Sequence, residues 1–266
     1  MPSTDFDKVG YWSPNTASVD WCENNYVISY FIAEFWNTIS SLYICLIGEV
    51  GFFLSPTREK RLLLIMKTIT IVGIGSTAFH DELPMLYAAT AMLFTLVETK
   101  HGPQGRWFPI GLSLWIAAVT LGTSVFGGKM QFYFFQGSFG ILQLLILYYT
   151  TILYWQQNIR RDDRWLLARA LTFYFTGVTV WLIDLHLCEF INGVSETSIL
   201  NWNPQFHALW HVLSSTGVYF SALLVSYQHY VGQNKQPYVY YWRGVVPAIG
   251  LKGLTDQRTV KAAKVL

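Results

Sequence analysis

The chain has 266 residues, of which 52% are hydrophobic, 17% aromatic and only 13% charged, with a net charge of +2. Soluble domains carry about a quarter charged residues, so this balance points to a bilayer as solvent and argues against an ordinary soluble domain. So small a net charge, with no basic run interleaved with aromatics, also argues against a nucleic-acid partner.

The first 28 residues hold Asp5, Asp7, Lys8, Asp20 and Glu23 without a continuous apolar stretch, so no cleaved signal peptide is expected. Asp20, Glu23 and Glu34, with Asn24 and Asn25 between them, crowd oxygen donors into a short stretch. Glu34 is predicted to lie a turn or so inside the first span, a costly place for an unpaired carboxylate. A hard cation such as calcium would relieve that cost. A solvated acidic segment with Glu34 hydrogen-bonded is the other reading.

A bilayer-crossing helix needs about 20 mostly apolar residues, because lipid cannot satisfy exposed backbone groups. Seven stretches have that length: 30–54, 62–80, 82–99, 107–126, 131–155, 165–187 and 205–229. They predict an all-α membrane protein, a seven-helix bundle over 30–229 between an N-terminal segment (1–29) and a tail (230–266). Its last residues, 251–266, read as a flexible extramembrane end. With seven spans, Arg58, Lys60, Arg61, Lys100, Arg106, Arg160, Arg161, Arg164 and the basic residues of the tail share one side. Only Lys8 and Lys129 fall on the other. The positive-inside tendency then places the C-terminus in the cytosol and the N-terminus in a lumen or the exterior. Cys22 and Cys188, the latter predicted in the loop after span six, fall on that oxidising side. They would form a disulfide or remain two packed thiols. Cys45, inside span one, reads as a small apolar filler.

His101 and His229 lie near the cytosolic span ends and read as interfacial, whereas His80, His186, His207 and His211 lie near the opposite face. His207 and His211, in HALWH at the head of span seven, are spaced i,i+4, which stacks two imidazoles on one helical face. His80 closes span two at the same depth. Three histidines from two helices make an open zinc site with a fourth position for water, although imidazoles alone also suit copper or iron. His186 has no paired partner and is kept out of the ligand set. Ser76 is i−4 from His80 in GSTAFH, where its hydroxyl could donate to an oxyanion or back-bond to a carbonyl one turn earlier. Asp81 could move a proton at such a centre or cap the helix that Pro84 opens.

GYW at 10–12, VDWCENNY at 19–26, AEFWNTISS at 33–41, GSTAFH at 75–80, DELPMLY at 81–87, WLID at 181–184 and FHALWH at 206–211 occur in the order found in alkaline ceramidases, which the chain resembles over roughly 10–230. The resemblance implies a seven-span bundle in the endoplasmic reticulum or Golgi membrane that hydrolyses ceramide to sphingosine and a fatty acid. It implies zinc on His80, His207 and His211, with Ser76 and Asp81 assisting catalysis. It also implies calcium on Asp20, Trp21, Glu23, Asn25 and Glu34, with Trp21 and Asn25 offering carbonyls, and it favours the Cys22–Cys188 bridge. The alternative is a receptor-like or inactive seven-span protein whose zinc only braces the helices. One departure stands out: the family separates the histidine of GSTAFH from the aspartate of DELPM, whereas here His80 and Asp81 are adjacent. A helical hairpin needs a connection of about 2–5 residues. The turn must then consume helix ends, an expectation that lowers the activity anticipated.

Overall fold

The computed structural model describes residues 8–13, 21–55, 67, 70–71, 82–157, 159, 161–193 and 196–253. Six helices lie within them: α1 (Phe35–Leu54), α2 (Glu82–His101), α3 (Trp107–Val125), α4 (Gly128–Gln156), α5 (Trp165–Ile191) and α6 (Phe206–Gly232). All but α2 are long and apolar enough to cross a membrane. Predicted span two is described only at Lys67, Thr70 and Ile71, all helical.

These helices must satisfy their own polar groups where no water reaches, and they do so locally. Thr90, Thr123 and Ser226 each donate their hydroxyl to the carbonyl four residues earlier, at 2.7–2.9 Å. Between helices, Gln228 on α6 donates to the Thr150 carbonyl at 3.1 Å, and Gln157 at the end of α4 donates to the Gln228 carbonyl at 3.0 Å. α2 lies inside, burying Leu86, Ala89, Met92, Leu93 and Leu96. α3 is peripheral and exposes Leu114, Leu121 and Val125, the outward apolar surface a lipid environment favours.

Among the described residues α5 and α6 form the most extensive helix pair, and small residues make their approach possible. A Cβ on Gly217 would lie 2.7 Å from the Tyr174 backbone nitrogen, and one on Gly177 would lie 3.1 Å from that of Ser214.

Three boundaries differ from expectation. The first helix begins at Phe35 rather than near 30, which leaves Glu34 at the N-cap rather than inside the span. α5 continues to Ile191 through a non-helical step at Leu187, so Cys188 sits in its last turns rather than in a loop. The tail is not all extended chain. β1 (Pro237–Trp242) and β2 (Val246–Leu251) pair antiparallel in a hairpin that adds a small sheet to the expected all-α fold. Its three-residue turn, 243–245, places both Arg243 (φ 49°) and Gly244 (φ 75°) in the left-handed region that a tight hairpin uses. Ala248, Ile249 and Leu251 are buried, and Tyr219 of α6 donates its hydroxyl to the Pro247 carbonyl at 2.7 Å.

Candidate metal centre

The head of α6 carries His207 and His211, both buried, with ring centroids 4.8 Å apart. The i,i+4 spacing thus delivers two adjacent imidazoles. Trp21 stacks on His207 with centroids 3.7 Å apart. A stacked indole covers a ring face and leaves the in-plane nitrogens to other partners. The His207 backbone N–H donates to Asp184 Oδ1 at 3.2 Å, and the Cys22 N–H donates to Asp184 Oδ2 at 3.1 Å. Cys22 is also disulfide-bonded to Cys188, one turn beyond Asp184. One carboxylate and one covalent bond therefore fasten the N-terminal segment and the start of α6 to the same stretch of α5. Asn203 adds a side-chain hydrogen bond to the Cys22 carbonyl.

His211 faces α1. Its Nδ1 lies 2.8 Å from Ser40 Oγ and 3.4 Å from Ser41 Oγ. A little deeper, Tyr43 hydroxyl and Thr216 Oγ1 are 3.0 Å apart, so the same two helices stay in register. His229 at the far end of α6 serves a different purpose. It is buried rather than interfacial, with Thr99 Oγ1 3.2 Å from Nδ1 and Gln233 Nε2 2.8 Å from Nε2. An amide N–H can only donate, so that Nε2 lone pair is consumed and His229 is structural. His186 is exposed on α5.

The expected oxygen cluster is partly assembled. Glu23 is buried, and its carboxylate accepts the Trp36 and Asn37 backbone N–H groups at 2.7 and 3.0 Å, capping α1 from thirteen residues away. Glu34 accepts the Asn37 side-chain amide at 2.8 Å and the Trp21 N–H at 3.4 Å. Both carboxylates thus meet at Asn37. The Asn25 carbonyl accepts from the Lys8 backbone at 3.0 Å. Burial pushes the Glu23 carboxyl above its ordinary range, outweighing those backbone N–H groups and the field of His207. Two carboxylates that both bond Asn37 suit a hard cation, and two adjacent imidazoles suit zinc. Asp20, Ser76, His80 and Asp81 lie outside the described residues. Among the described residues no three His, Cys, Asp or Glu side chains form a metal-holding group.

Beside His211 opens a cavity of about 390 Å³, within the range of about 300–1,000 Å³ usual for ligand sites. Its wall is mostly apolar: Met85, Ala88 and Met92 of α2, Phe139 and Leu147 of α4, Leu171 and Tyr174 of α5, and Trp210 and Val218 of α6. Gln143, Ser214 and Ser221 supply polar points.

Residues 13–250 match the Ceramidase family model. The chain belongs to the ceramidase family. Mouse alkaline ceramidase 3 is 30% identical over 258 residues, covering 91% of this chain and 95% of the mouse protein. Alkaline ceramidase YPC1 of Saccharomyces cerevisiae is 28% identical over 277 residues, covering 92% and 87% of the two chains. An alkaline ceramidase of Arabidopsis thaliana is 27% identical over 260 residues, covering 91% and 95%. In this ceramidase-family chain, the partners that reading the residues alone missed are Ser40, Ser41 and Asp184. Serines three and four residues after Asn37, and an aspartate buried in WLID, were the signals available.

Proposed function

We propose that the chain hydrolyses the amide bond of ceramide within the membrane, releasing sphingosine and a fatty acid, with zinc held by His80, His207 and His211. The observation that carries this reading is the buried imidazole pair, one member of which forms part of the wall of an apolar cavity. An amphiphile whose chains fill that cavity would bring its polar amide to His211. The family membership supports the choice of bond.

When bound, zinc supplies Lewis-acid chemistry that polarises a carbonyl and makes water nucleophilic near neutral pH. Ser76 donates to the carbonyl oxygen as charge builds on it. Asp81 takes the proton of the attacking water and returns it to the leaving nitrogen. Calcium falls to Asp20, Trp21, Glu23, Asn25 and Glu34, where it would neutralise the crowded carboxylates that meet at Asn37. Seven spans, a lumenal N-terminus, a cytosolic C-terminus and an endoplasmic reticulum or Golgi location complete the reading. The segregation of basic residues and the five long apolar helices support it.

The test is ceramide turnover together with metal content on purified protein. His207→Ala or His211→Ala abolishes hydrolysis and lowers bound zinc; full activity with undiminished zinc in either variant overturns the assignment. A parallel chain with a short loop inserted between His80 and Asp81 asks whether their adjacency limits the rate. A rise in turnover at unchanged zinc content identifies it as the limit.

A further inference from the structure

The hydroxyls of Ser40 and Ser41 can be assigned by counting protons. Each has one hydrogen to give and two lone pairs to receive with. Ser40 Oγ lies 2.9 Å from the Asn37 carbonyl and Ser41 Oγ lies 3.0 Å from the same oxygen. A carbonyl can only accept, so each hydroxyl spends its hydrogen there. The short Ser40 contact to His211 is then satisfied only if Nδ1 carries the proton and donates it to Oγ. In the opposite arrangement Ser40 would donate to Nδ1, leaving its oxygen and that of Asn37 to face each other, lone pair to lone pair, at 2.9 Å. Thr99 treats His229 in the same way, donating its hydroxyl to the Thr95 carbonyl at 2.8 Å while meeting Nδ1 with its oxygen.

We propose that Ser40 and Ser41 are positioning residues for the metal, which lock His211 into the tautomer with Nδ1 protonated and thereby present Nε2 as the ligating nitrogen. A ligating imidazole needs its second nitrogen held, because that partner fixes both tautomer and ring orientation. Ordinarily a carboxylate, carbonyl or water fills this role. Here two hydroxyls of α1 do, and Ser41 is fully buried. The placement makes α1 a structural element of a site whose ligands lie elsewhere in the chain. The inference rests on the proposed zinc role of His211.

The experiment is zinc affinity by chelator competition on the purified full chain, for wild type, Ser40→Ala/Ser41→Ala, Ser40→Ala, Ser40→Thr and His211→Ala. Alanine suits a helix interior, so the first turns of α1 should survive the change; thermal unfolding checks this. The double alanine is expected to weaken zinc binding by about 10–100-fold, the usual loss for an outer-shell partner. Ser40→Thr, which restores a hydroxyl, is expected to bind as wild type. Should the double variant fail to fold, Ser40→Ala alone carries the test through the shorter contact. Wild-type zinc affinity in the folded alanine variants, with zinc lost in His211→Ala, overturns the positioning role and leaves the metal reading standing. Wild-type zinc affinity in His211→Ala overturns both.

Discussion

Asp184 accepts the backbone N–H of His207 at 3.2 Å and, with its other oxygen, that of Cys22 at 3.1 Å. The N–H groups at a helix start have no intrahelical acceptor, so this buried carboxylate caps α6 from a neighbouring helix and sets where His207 begins. Asp184→Ala strands two buried N–H groups, each costing roughly 1–3 kcal/mol. The expected result is a lower unfolding temperature and weaker zinc retention. Asp184→Asn, which keeps one oxygen acceptor, should fall between wild type and alanine. Equal behaviour of alanine and wild type in both measurements would count against the cap.

The Cys22–Cys188 bridge closes a sequence separation of 166 residues and holds Trp21 over His207. Disulfides contribute typically about 2–4 kcal/mol. Replacing both cysteines with serine should loosen the N-terminal segment while Asp184 still caps α6. Proteolysis near Trp21 should accelerate, and the drop in zinc affinity should be smaller than that in Asp184→Ala. A bridge-free protein with wild-type proteolytic resistance would show that Asp184 and Asn203 suffice.

Gly217 has no room for a side chain, since a Cβ there would meet the Tyr174 backbone at 2.7 Å. Backbone cannot rotate aside, so Gly217→Val must push α5 away from α6. Overpacking of this kind costs about 1–3 kcal/mol, and the widened gap would also deform the cavity wall at Tyr174 and Val218. Lower stability with raised KM for ceramide is expected. A stable variant with unchanged KM would mean that the helices tolerate separation.

The five helices long and apolar enough to cross a membrane were legible because a lipid-facing helix must be apolar for its full length, a constraint written in consecutive residues. The His207–His211 pair was legible for a similar reason, since i,i+4 spacing is local. Helix ends were not. Phe35 opens α1 because Glu23 receives the Trp36 and Asn37 N–H groups, a contact between separate segments. The partner of His211 was hidden in the same way, since Ser40 is 171 residues away in sequence. The hairpin carried a local signal, Arg243–Gly244 between β-forming residues, but its placement depends on Tyr219 in the middle of α6.

That tyrosine offers a clean separation of stability from chemistry. Tyr219→Phe removes the donor to the buried Pro247 carbonyl, a loss of roughly 1–3 kcal/mol. Neither residue lines the cavity. Thermal stability should fall and the hairpin amides should exchange faster, while zinc content and turnover stay at wild-type values. A loss of turnover at unchanged stability would reassign Tyr219 to the site.

Glu23 gives the fold a pH dependence whose sign, under the proposed calcium role, depends on the cation. Unfolded, its carboxyl ionises near 4.5; folded without metal, burial raises that value. The folded segment therefore binds more protons than the unfolded one above about pH 4.5. Its stability is complete below that point and declines as pH climbs toward the raised folded value. Calcium bound as proposed would reverse the trend, since a cation binds the ionised carboxylate and gains affinity as the proton leaves. With chelator present, unfolding temperature should drop as pH rises from acid toward neutral. Added calcium should restore it in wild type, whereas Glu23→Gln should show neither the drop nor the rescue. Calcium rescue of undiminished size in Glu23→Gln would move the cation away from this carboxylate.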